Sequence, residues 1–310
     1  MDAIASALAG LALGKPQTFK NLTLFPLVGT VETQAGYLTL DEALQSEVAR
    51  VTEVSEAGTV PELRFDNSAP QPVLLVDGEE LVGAKQNRVL NLTILVGGGK
   101  SVRIPVSCVE QGRWSYRSRD FSGANRNLFA KARAKKMARV SESLARTGSR
   151  RGDQGEVWSD IQVKFCAMDA SSPSMAVGDL YEARSTSIRD YVGAFKAGPL
   201  QRGGVFAVDG KVVGLELFDA PATFAKLLEK LVTSYVVDAL EEQKDTPAPP
   251  EAAARQFIER MKAAAAEKYP AIAEGEDLRL SAPGLAGGAL VADGRLVHLA
   301  AFEVPQVAAA

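Results

Sequence analysis

The segment GGVFAVDGKVVGLELF, residues 203–218, decides the fold class because it predicts a β-hairpin. Its Asp209-Gly210 pair supplies the positive φ angles that a two-residue hairpin turn needs. A later segment, GGALVADGRLVHLAAF at residues 287–302, matches it in register, with paired glycines, an Asp-Gly pair, a cation and a final Phe. Either the hairpins are copies of one reused unit, or turn chemistry alone makes them alike.

Short β-branched runs and helical patterns surround these hairpins. Residues 19–104 read mainly as β, in the runs FKNLTLFPLV, ARVTEVS, VPELRF, PVLLVDG, RVLNLTILV and SVRIPVS. Thr39 and Glu42 have the spacing of a capping box, which predicts a short helix. Longer helices are predicted at residues 125–146, 156–168, 187–195, 221–240 and 251–269. The fold class is therefore α+β, with a mainly antiparallel β-sheet or sandwich core, several packed helices and a C-terminal helix-hairpin appendage.

A proline-rich segment, KDTPAPPE, suggests how the chain divides. Clustered prolines remove backbone donors and favour extended conformations, so this segment is the best linker in the sequence. We expect an N-terminal docking helix at 1–15, a main α+β domain at 16–243, the linker at 244–250 and the appendage at 251–310.

Composition narrows the class of protein. The 310 residues are 46% hydrophobic and 24% charged, with a net charge of −3, as in ordinary globular proteins. Two cysteines cannot form a disulfide framework and fit a reducing bacterial cytoplasm. Apolar runs stay short of the ~20 residues that span a bilayer, so we expect no membrane partner.

The first candidate site is the polar segment at residues 78–91. It places Glu79 and Glu80 before Gln86, Asn87 and Arg88, between two predicted strands. A carboxylate near a cation can act as a general acid or base, and amide and guanidinium groups bind a ribose, phosphate or carboxylate. The alternative is a solvated hairpin with a surface ion pair, worth ~0–1 kcal/mol.

The second candidate site is the segment CVEQGRWS, residues 108–115. Cys108 and Glu110 share one face of a predicted strand. The sole histidine, His298, is far away in sequence, so a structural cysteine is favoured over a nucleophile. A zinc site is disfavoured for want of ligands, whereas a Mg²⁺ ion held by glutamates stays open.

Two further segments complete the candidates. Glu156 and Trp158 open a predicted helix, where the helix dipole alone explains the glutamate and Trp158 serves as core or as a ligand platform. Residues 113–151 are rich in Arg and Lys, which would attract a phosphate-bearing small molecule. The sequence contains no base-reading module, so we expect no sequence-specific binding of nucleic acid. The alternative to a phosphate-binding segment is a solvated helix.

GGGKS at 97–101 is not a P-loop, because Ile94 stands where that motif needs glycine.

Taken in order, these motifs resemble a known family. FKNLTLFPL, LLVDGEELVGAKQNRVLN, IPVSCVEQGRWSY, QGEVW and QRGGVFAVDGKVVGLELFD resemble the prokaryotic ADP-ribosylglycohydrolase- and rhodanese/phosphatase-superfamily-associated protein domain. The resemblance covers residues 19–240 and excludes the tail beyond Pro247. It implies a link to ADP-ribose or NAD metabolism, without an established reaction or cofactor. Its polar positions fall on Glu79, Gln86, Asn87, Arg88, Glu110, Gln111, Arg113, Trp114, Glu156 and Trp158.

Two functions follow from these residues. In the first, a cleft binds a nucleotide-derived ligand, with Arg88 and Arg113 as clamps and Glu79 or Glu110 as the acid or base of a hydrolytic or transfer step. The remaining ligand-binding candidates are Gln86, Asn87, Gln111, Trp114, Glu156 and Trp158. In the second, the same groups form a structural network in a non-catalytic interaction or homo-oligomerising module.

Overall fold

The computed structural model describes residues 2–30, 33–56, 58–242, 244 and 246–304. These residues form an α+β structure with mainly antiparallel strands, which confirms the predicted fold class. The helices are α1 (Asp2–Ala9), α2 (Leu40–Gln45), α3 (Ala130–Thr147), α4 (Gln154–Ala167), α5 (Val177–Ala183), α6 (Ser185–Ala194), α7 (Pro221–Glu242) and α8 (Glu251–Lys262).

The strands are β1 (Ala12–Leu13), β2 (Gln17–Phe19), β3 (Leu22–Val28), β4 (Leu38–Thr39), β5 (Ala49–Glu53), β6 (Glu62–Asn67), β7 (Val73–Leu75), β8 (Glu79–Gly83), β9 (Arg88–Leu90), β10 (Ile94–Val96), β11 (Ser101–Cys108), β12 (Phe121–Asn127), β13 (Gln201–Val208), β14 (Lys211–Phe218), β15 (Ala265–Pro270), β16 (Glu276–Ala282), β17 (Leu285–Ala292) and β18 (Arg295–Glu303).

The chain divides into two compact units. The first consists of residues 1–35, 190–270 and 275–310, and the second of residues 36–189 and 271–274. These bounds differ from the predicted domain bounds, because the chain returns to the first unit after residue 189.

The first unit is built on one antiparallel sheet. Its strand order is β1-β3-β13-β14-β18-β17-β16-β15, and β2 also pairs with β3. Apolar side chains of α1 and α8, including Ile4, Leu8, Phe257 and Met261, join the buried core of this unit. The C-terminal hairpin is therefore continuous with the sheet, since β18 pairs with β14.

The two matching hairpins share more than their turns. Asp209 and Gly210 have φ angles of 50° and 74°, and Asp293 and Gly294 have φ angles of 49° and 70°. Both hairpins also shift register at the same relative position, between Phe206 and Ala207 in one and between Leu290 and Val291 in the other. A bulge is not part of the turn chemistry, so its repetition favours a reused unit over chance resemblance.

The pairing of β14 with β18 relates the two hairpins by an approximate two-fold axis. Gly214 pairs with Phe302, while Phe218, the counterpart of Phe302, pairs with His298, the counterpart of Gly214. Helix α1, which precedes the first strands, contacts β18, and α8, which precedes β15, contacts β14. The first unit therefore has the arrangement expected of two similar halves.

The second unit is built around a closed barrel with the strand order β11-β6-β5-β12-β8-β9. A smaller sheet, β10-β7-β4, lies in the same unit, with β4 and β7 parallel. The core includes Leu63, Phe65 and Leu81, which are fully buried. The predicted capping box is confirmed: the Thr39 backbone N donates to Glu42 Oε2 at 2.9 Å, and Thr39 Oγ1 accepts from Glu42 N at 3.4 Å.

Three predicted helices have the wrong bounds. The N-terminal helix predicted at 1–15 ends at Ala9, because Ala12–Leu13 form β1 and pair with β3. The helix predicted at 251–269 ends at Lys262, and residues 265–270 form β15 instead. This alanine-rich segment pairs along its length with β16, so tertiary pairing overrides helix propensity. The helix predicted at 125–146 begins at Ala130, because the residues before it extend β12. Across the described ranges, none of the helices combines the length and apolarity needed to cross a bilayer.

A buried ion cluster joins the end of β7 to α3. Asp77 Oδ2 lies 3.2 Å from Arg133 Nε, and Asp77 Oδ1 accepts from Lys136 Nζ. Lys136 Nζ also donates to the backbone O of Leu90 at 2.9 Å. Burial by itself would raise the pKa of Asp77, but Lys136 and Arg133 outweigh it and hold that pKa below its ordinary value. The turn that starts β8 is thereby fixed to α3.

We expect Asp77→Asn to cost about 3 kcal/mol in the free energy of unfolding at pH 7, because it leaves buried cations without their carboxylate. Urea denaturation measures this free energy of unfolding.

The pKa of folded Asp77 is lowered, so the stability that Asp77 contributes should depend on pH. That contribution is complete above the ordinary carboxyl pKa of ~3.9 and is lost as pH falls through the folded pKa. The matched control is Asp66→Asn, whose partner Arg64 is exposed and which should cost under ~1 kcal/mol. Equal losses in the two variants would contradict the role of the cluster.

Candidate functional site

The candidate site lies in the second unit, where the β8–β9 turn meets the chain that follows β11. The turn carries Gln86 and Asn87, Arg88 opens β9, and Glu110 and Arg113 follow β11. All five side chains are at least nine-tenths buried. The structure thus brings together polar residues that are separated in sequence by more than twenty positions.

Glu110 is the acidic centre of this cluster. Its Oε2 accepts from Arg113 Nη2 at 2.6 Å and from the backbone N of Asn87 at 3.1 Å. Its Oε1 accepts from Ser174 Oγ at 2.9 Å. Burial would raise the pKa of Glu110, but the hydrogen bonds from Arg113, Asn87 and Ser174 outweigh it and lower that pKa. Glu110 is therefore a fixed negative charge at neutral pH.

Arg113 uses its terminal nitrogens to tie the two segments together. Its Nη1 donates to the backbone O of Ala84 at 2.6 Å and of Ser115 at 2.8 Å. Its Nη2 donates to Asn87 Oδ1 at 3.1 Å as well as to Glu110. These bonds fix the β8–β9 turn against the chain after β11 and occupy both terminal nitrogens of Arg113.

A second buried ion pair extends this arrangement. Glu80 Oε2 lies 2.5 Å from Arg126 Nε, and Glu80 Oε1 accepts from Asn87 Nδ2 at 3.4 Å. Burial raises the pKa of Glu80 and outweighs the opposing effect of Arg126. We call the connected residues Glu80, Asn87, Glu110, Arg113, Arg126 and Ser174 the polar network.

Arg88 differs from Arg113 in having a whole edge of open donors, whereas only Nε of Arg113 has no acceptor among the described residues. The residue is 0% exposed, and its Nη1 donates to Gln86 Oε1 at 3.2 Å and to the backbone O of Asn87 at 3.4 Å. Its Nε and Nη2 are buried without an acceptor among the described residues. Burial lowers the pKa of Arg88, against the opposing effects of Cys108 and Glu53. A buried cation with two unused donors is costly unless something else satisfies it.

Aromatic and charged side chains surround Arg88. The Arg88 guanidinium carbon lies 5.7 Å from the ring centroid of Trp114, and Lys85 Nζ lies 5.3 Å from that same centroid. Trp114 is 49% exposed, so the ring separates Arg88 from solvent on one side. Lys85 Nζ is also 5.1 Å from the ring of Tyr116.

Glu53, at the end of β5, is next to Trp114. A β-carbon built on Gly58 would lie 3.4 Å from Glu53 Oε2, 3.4 Å from Trp114 Cζ2 and 3.2 Å from Lys85 Cδ. Both carboxylate oxygens of Glu53 are buried and have no donor within the described part of the chain. We call Glu53, Lys85, Gln86, Arg88 and Trp114 the Arg88 corner.

Cys108 contacts the Arg88 corner through Gln86. Its Sγ donates to Gln86 Oε1 at 3.1 Å, and the Gln154 side chain bonds both its backbone N, at 2.8 Å, and its backbone O, at 2.9 Å. Burial raises the pKa of Cys108, although Arg88 and the Trp158 side chain oppose the shift. The thiol is therefore protonated at neutral pH, as expected for a structural cysteine.

Four predicted site residues lie outside the polar network and the Arg88 corner. Glu79 Oε2 accepts from the backbone N of Val76 at 2.7 Å, and Gln111 is exposed. Glu156 pairs with Arg139, with Oε2 2.8 Å from Nε, and lies in the first turn of α4. Trp158 is partly buried and close enough to the Cys108 thiol to affect its pKa.

Glu53 and Ser174 lie outside the polar segments that the sequence offered as candidate sites. Glu53 ends a strand with ordinary alternation, and nothing in that pattern marks its carboxylate as buried. Ser174 follows α4 in a loop, about sixty positions from the glutamate that it contacts. Only the tertiary structure reveals the burial of Glu53 and the contact of Ser174.

Glu53 and Tyr116 line an open groove with a volume of about 960 Å³. Four arginines also line it, at positions 50, 64, 117 and 119. Among the residues of the Arg88 corner, Glu53 is the one that lines this groove. In the part of the chain that the structure describes, no group of three or more His, Cys, Asp or Glu residues is placed to hold a metal ion.

Comparison with known proteins gives one match. Residues 10–302 match the family model described as ARPP-1, the ARG and Rhodanese-Phosphatase-superfamily-associated Protein domain. This match includes the tail that the sequence resemblance excluded, so that limit was wrong. No curated protein and no solved structure matches the chain.

The two thiols should react at different rates in the native protein. Cys166 is exposed, whereas Cys108 is buried with a raised pKa. We expect a disulfide reagent at pH 7.5 to modify Cys166 at least roughly 100-fold faster than Cys108, which reacts only through opening of the fold. Cys166→Ser should remove the fast phase and leave the slow one. Two fast thiols would contradict the burial of Cys108.

Proposed function

The chain belongs to the family of the ARG and Rhodanese-Phosphatase-superfamily-associated Protein domain, and on that premise we propose that it binds a phosphate-bearing, nucleotide-derived ligand at the Arg88 corner. The family description supports a ligand related to ADP-ribose or NAD. The observation that carries the proposal is the pair of open donors on Arg88.

The open donors have the geometry that a phosphate needs. Nε and Nη2 lie along one edge of the planar guanidinium, and this edge bonds two oxygens of a phosphate or carboxylate in parallel. The opposite nitrogen, Nη1, is held by Gln86 and by the backbone of Asn87. Arg88 is thus oriented by the protein while its bidentate edge stays available for an anion.

The surroundings of Arg88 suit the rest of a nucleotide. Lys85 adds a second positive charge, and the half-exposed Trp114 ring offers a face on which a base can stack. Because the Trp114 ring covers Arg88, this proposal requires the ring to shift when the phosphate binds. The segment that carries this ring also contains the exposed Tyr116.

The contacts favour binding over proton transfer by the two predicted catalytic glutamates. Glu110 is held as a carboxylate by three donors, so it has no proton to give at neutral pH. Glu79 bonds the backbone of its own turn. In this proposal Glu110 and Arg113 position the β8–β9 turn, and Arg88 contacts the ligand.

A second candidate function is a non-catalytic interaction module. It is favoured by the polar network, in which Asn87, the Glu110 carboxylate and the terminal nitrogens of Arg113 bond one another as in a group that fixes the fold. A homo-oligomeric state belongs to this candidate. Under either function we place the protein in a reducing cytoplasm, because Cys108 and Cys166 are free thiols.

The two functions differ in what happens when Arg88 is replaced. Arg88→Met removes a buried cation with unused donors, so we expect the unliganded free energy of unfolding to stay equal or rise. ADP-ribose at 100 times its Kd should stabilise the wild type by about 2.7 kcal/mol, which is a rise in Tm of about 5 °C, and should leave Arg88→Met unchanged. Thermal unfolding with and without ADP-ribose measures both.

Arg113→Met is the matched control, since it removes a guanidinium that the protein does use. It should lower the unliganded stability by about 3 kcal/mol, because Glu110 stays buried without its cation. The binding proposal fails if Arg88→Met retains the full ADP-ribose shift. A loss of stability in Arg88→Met similar to that in Arg113→Met would instead favour the structural module.

A further inference from the structure

The Arg88 corner also contains an unsatisfied acceptor, the Glu53 carboxylate. Both of its oxygens are buried with no donor from the residues that the structure describes. The carboxylate is close enough to Arg88 to raise the pKa of that guanidinium, yet no hydrogen bond joins the two. One corner therefore holds two open N–H donors and two open oxygen acceptors.

This combination restricts the ligand. A simple anion such as inorganic phosphate would satisfy Arg88 but would be repelled by Glu53. A cationic group would satisfy Glu53 but would be repelled by Arg88 and Lys85. A ligand that satisfies both needs an anionic part at Arg88 and neutral O–H donors at Glu53.

We propose that Glu53 recognises the vicinal hydroxyls of a ribose, so that the ligand is a ribonucleoside phosphate rather than its deoxy counterpart. This inference rests on the proposed function, because it concerns the same corner. A carboxylate has two oxygens that accept from two neighbouring hydroxyls, which is how acidic residues bind the ribose of dinucleotides.

The position of Glu53 fits this role. Its Oε2 and Trp114 Cζ2 would each lie 3.4 Å from a β-carbon built on Gly58, so the carboxylate is close to the ring that is proposed to stack on the base. The φ angle of Gly58 is 73°, and a β-carbon there would meet Lys85 Cδ at 3.2 Å. Glycine thus allows the backbone to approach the corner. Glu53 also lines the groove that contains Tyr116.

The test compares ADP with 2′-deoxy-ADP by isothermal titration calorimetry on the full chain. The wild type should bind ADP about 10- to 100-fold more tightly, because a deoxy ligand leaves a buried carboxylate oxygen unpaired. Glu53→Gln should weaken ADP binding and reduce the preference to under about 3-fold. Glu56→Gln is the matched control, since Glu56 lines the same groove, and it should keep the full preference.

The outcomes separate this inference from the proposed function. If ADP-ribose binds in an Arg88-dependent manner but ADP and its deoxy form bind equally, or if ADP does not bind, the role of Glu53 is overturned and the proposed function stands. If Glu53→Gln retains the wild-type preference, the hydroxyls are recognised elsewhere and the inference is also overturned. If none of the three ligands binds, both proposals fail. Thermal unfolding of each variant without ligand shows whether it folds.

Discussion

The ion pair between Glu110 and Arg113 is the contact on which the candidate site depends. Both residues are buried, and their side chains also bond the backbone or side chain of Asn87. A buried ion pair adds little net stability compared with apolar packing, but removing one partner is costly. The pair therefore selects one conformation of the β8–β9 turn. In that conformation Arg88 is buried, its Nη1 donates to Gln86, and its Nε and Nη2 stay open.

The two arginines have different roles in the proposed site: Arg113 positions the β8–β9 turn, and Arg88 binds the ligand. The sequence suggested Arg88 and Arg113 as equivalent clamps, because both stand in polar motifs. In the structure Arg113 bonds the protein through both terminal nitrogens, whereas Arg88 keeps two donors open. The same comparison applies to the glutamates: Glu110 is satisfied by the network, and Glu53 has unused oxygens in the corner. Open hydrogen-bonding capacity, rather than charge or burial alone, distinguishes the residues proposed to contact ligand.

The sequence predicted the features that local chemistry controls. The Asp-Gly turns and the Thr39 capping box need only a few neighbouring residues, and both are present in the structure. The expectation that Gln86, Asn87 and Glu110 belong to one site came from the family resemblance rather than from a local pattern. Long-range pairing could not be predicted: the alanine-rich stretch after Lys262 becomes strand β15 because β16 offers it a partner. The contacts of Ser174 and the burial of Glu53 likewise depend on segments that are distant in sequence, so no local pattern reveals them.

The proposed ligand site depends on Arg88 being a buried guanidinium whose Nε and Nη2 are open to an anion. Heteronuclear NMR of the arginine Nε–H groups tests this directly, with the Arg88 signal assigned by its absence in Arg88→Met. We predict a signal that exchanges slowly with water, because the group is buried, and that moves strongly downfield when ADP-ribose is added, as its proton enters a charge-assisted hydrogen bond. A signal that exchanges as fast as those of surface arginines, or that stays unchanged at saturating ADP-ribose, would contradict the account.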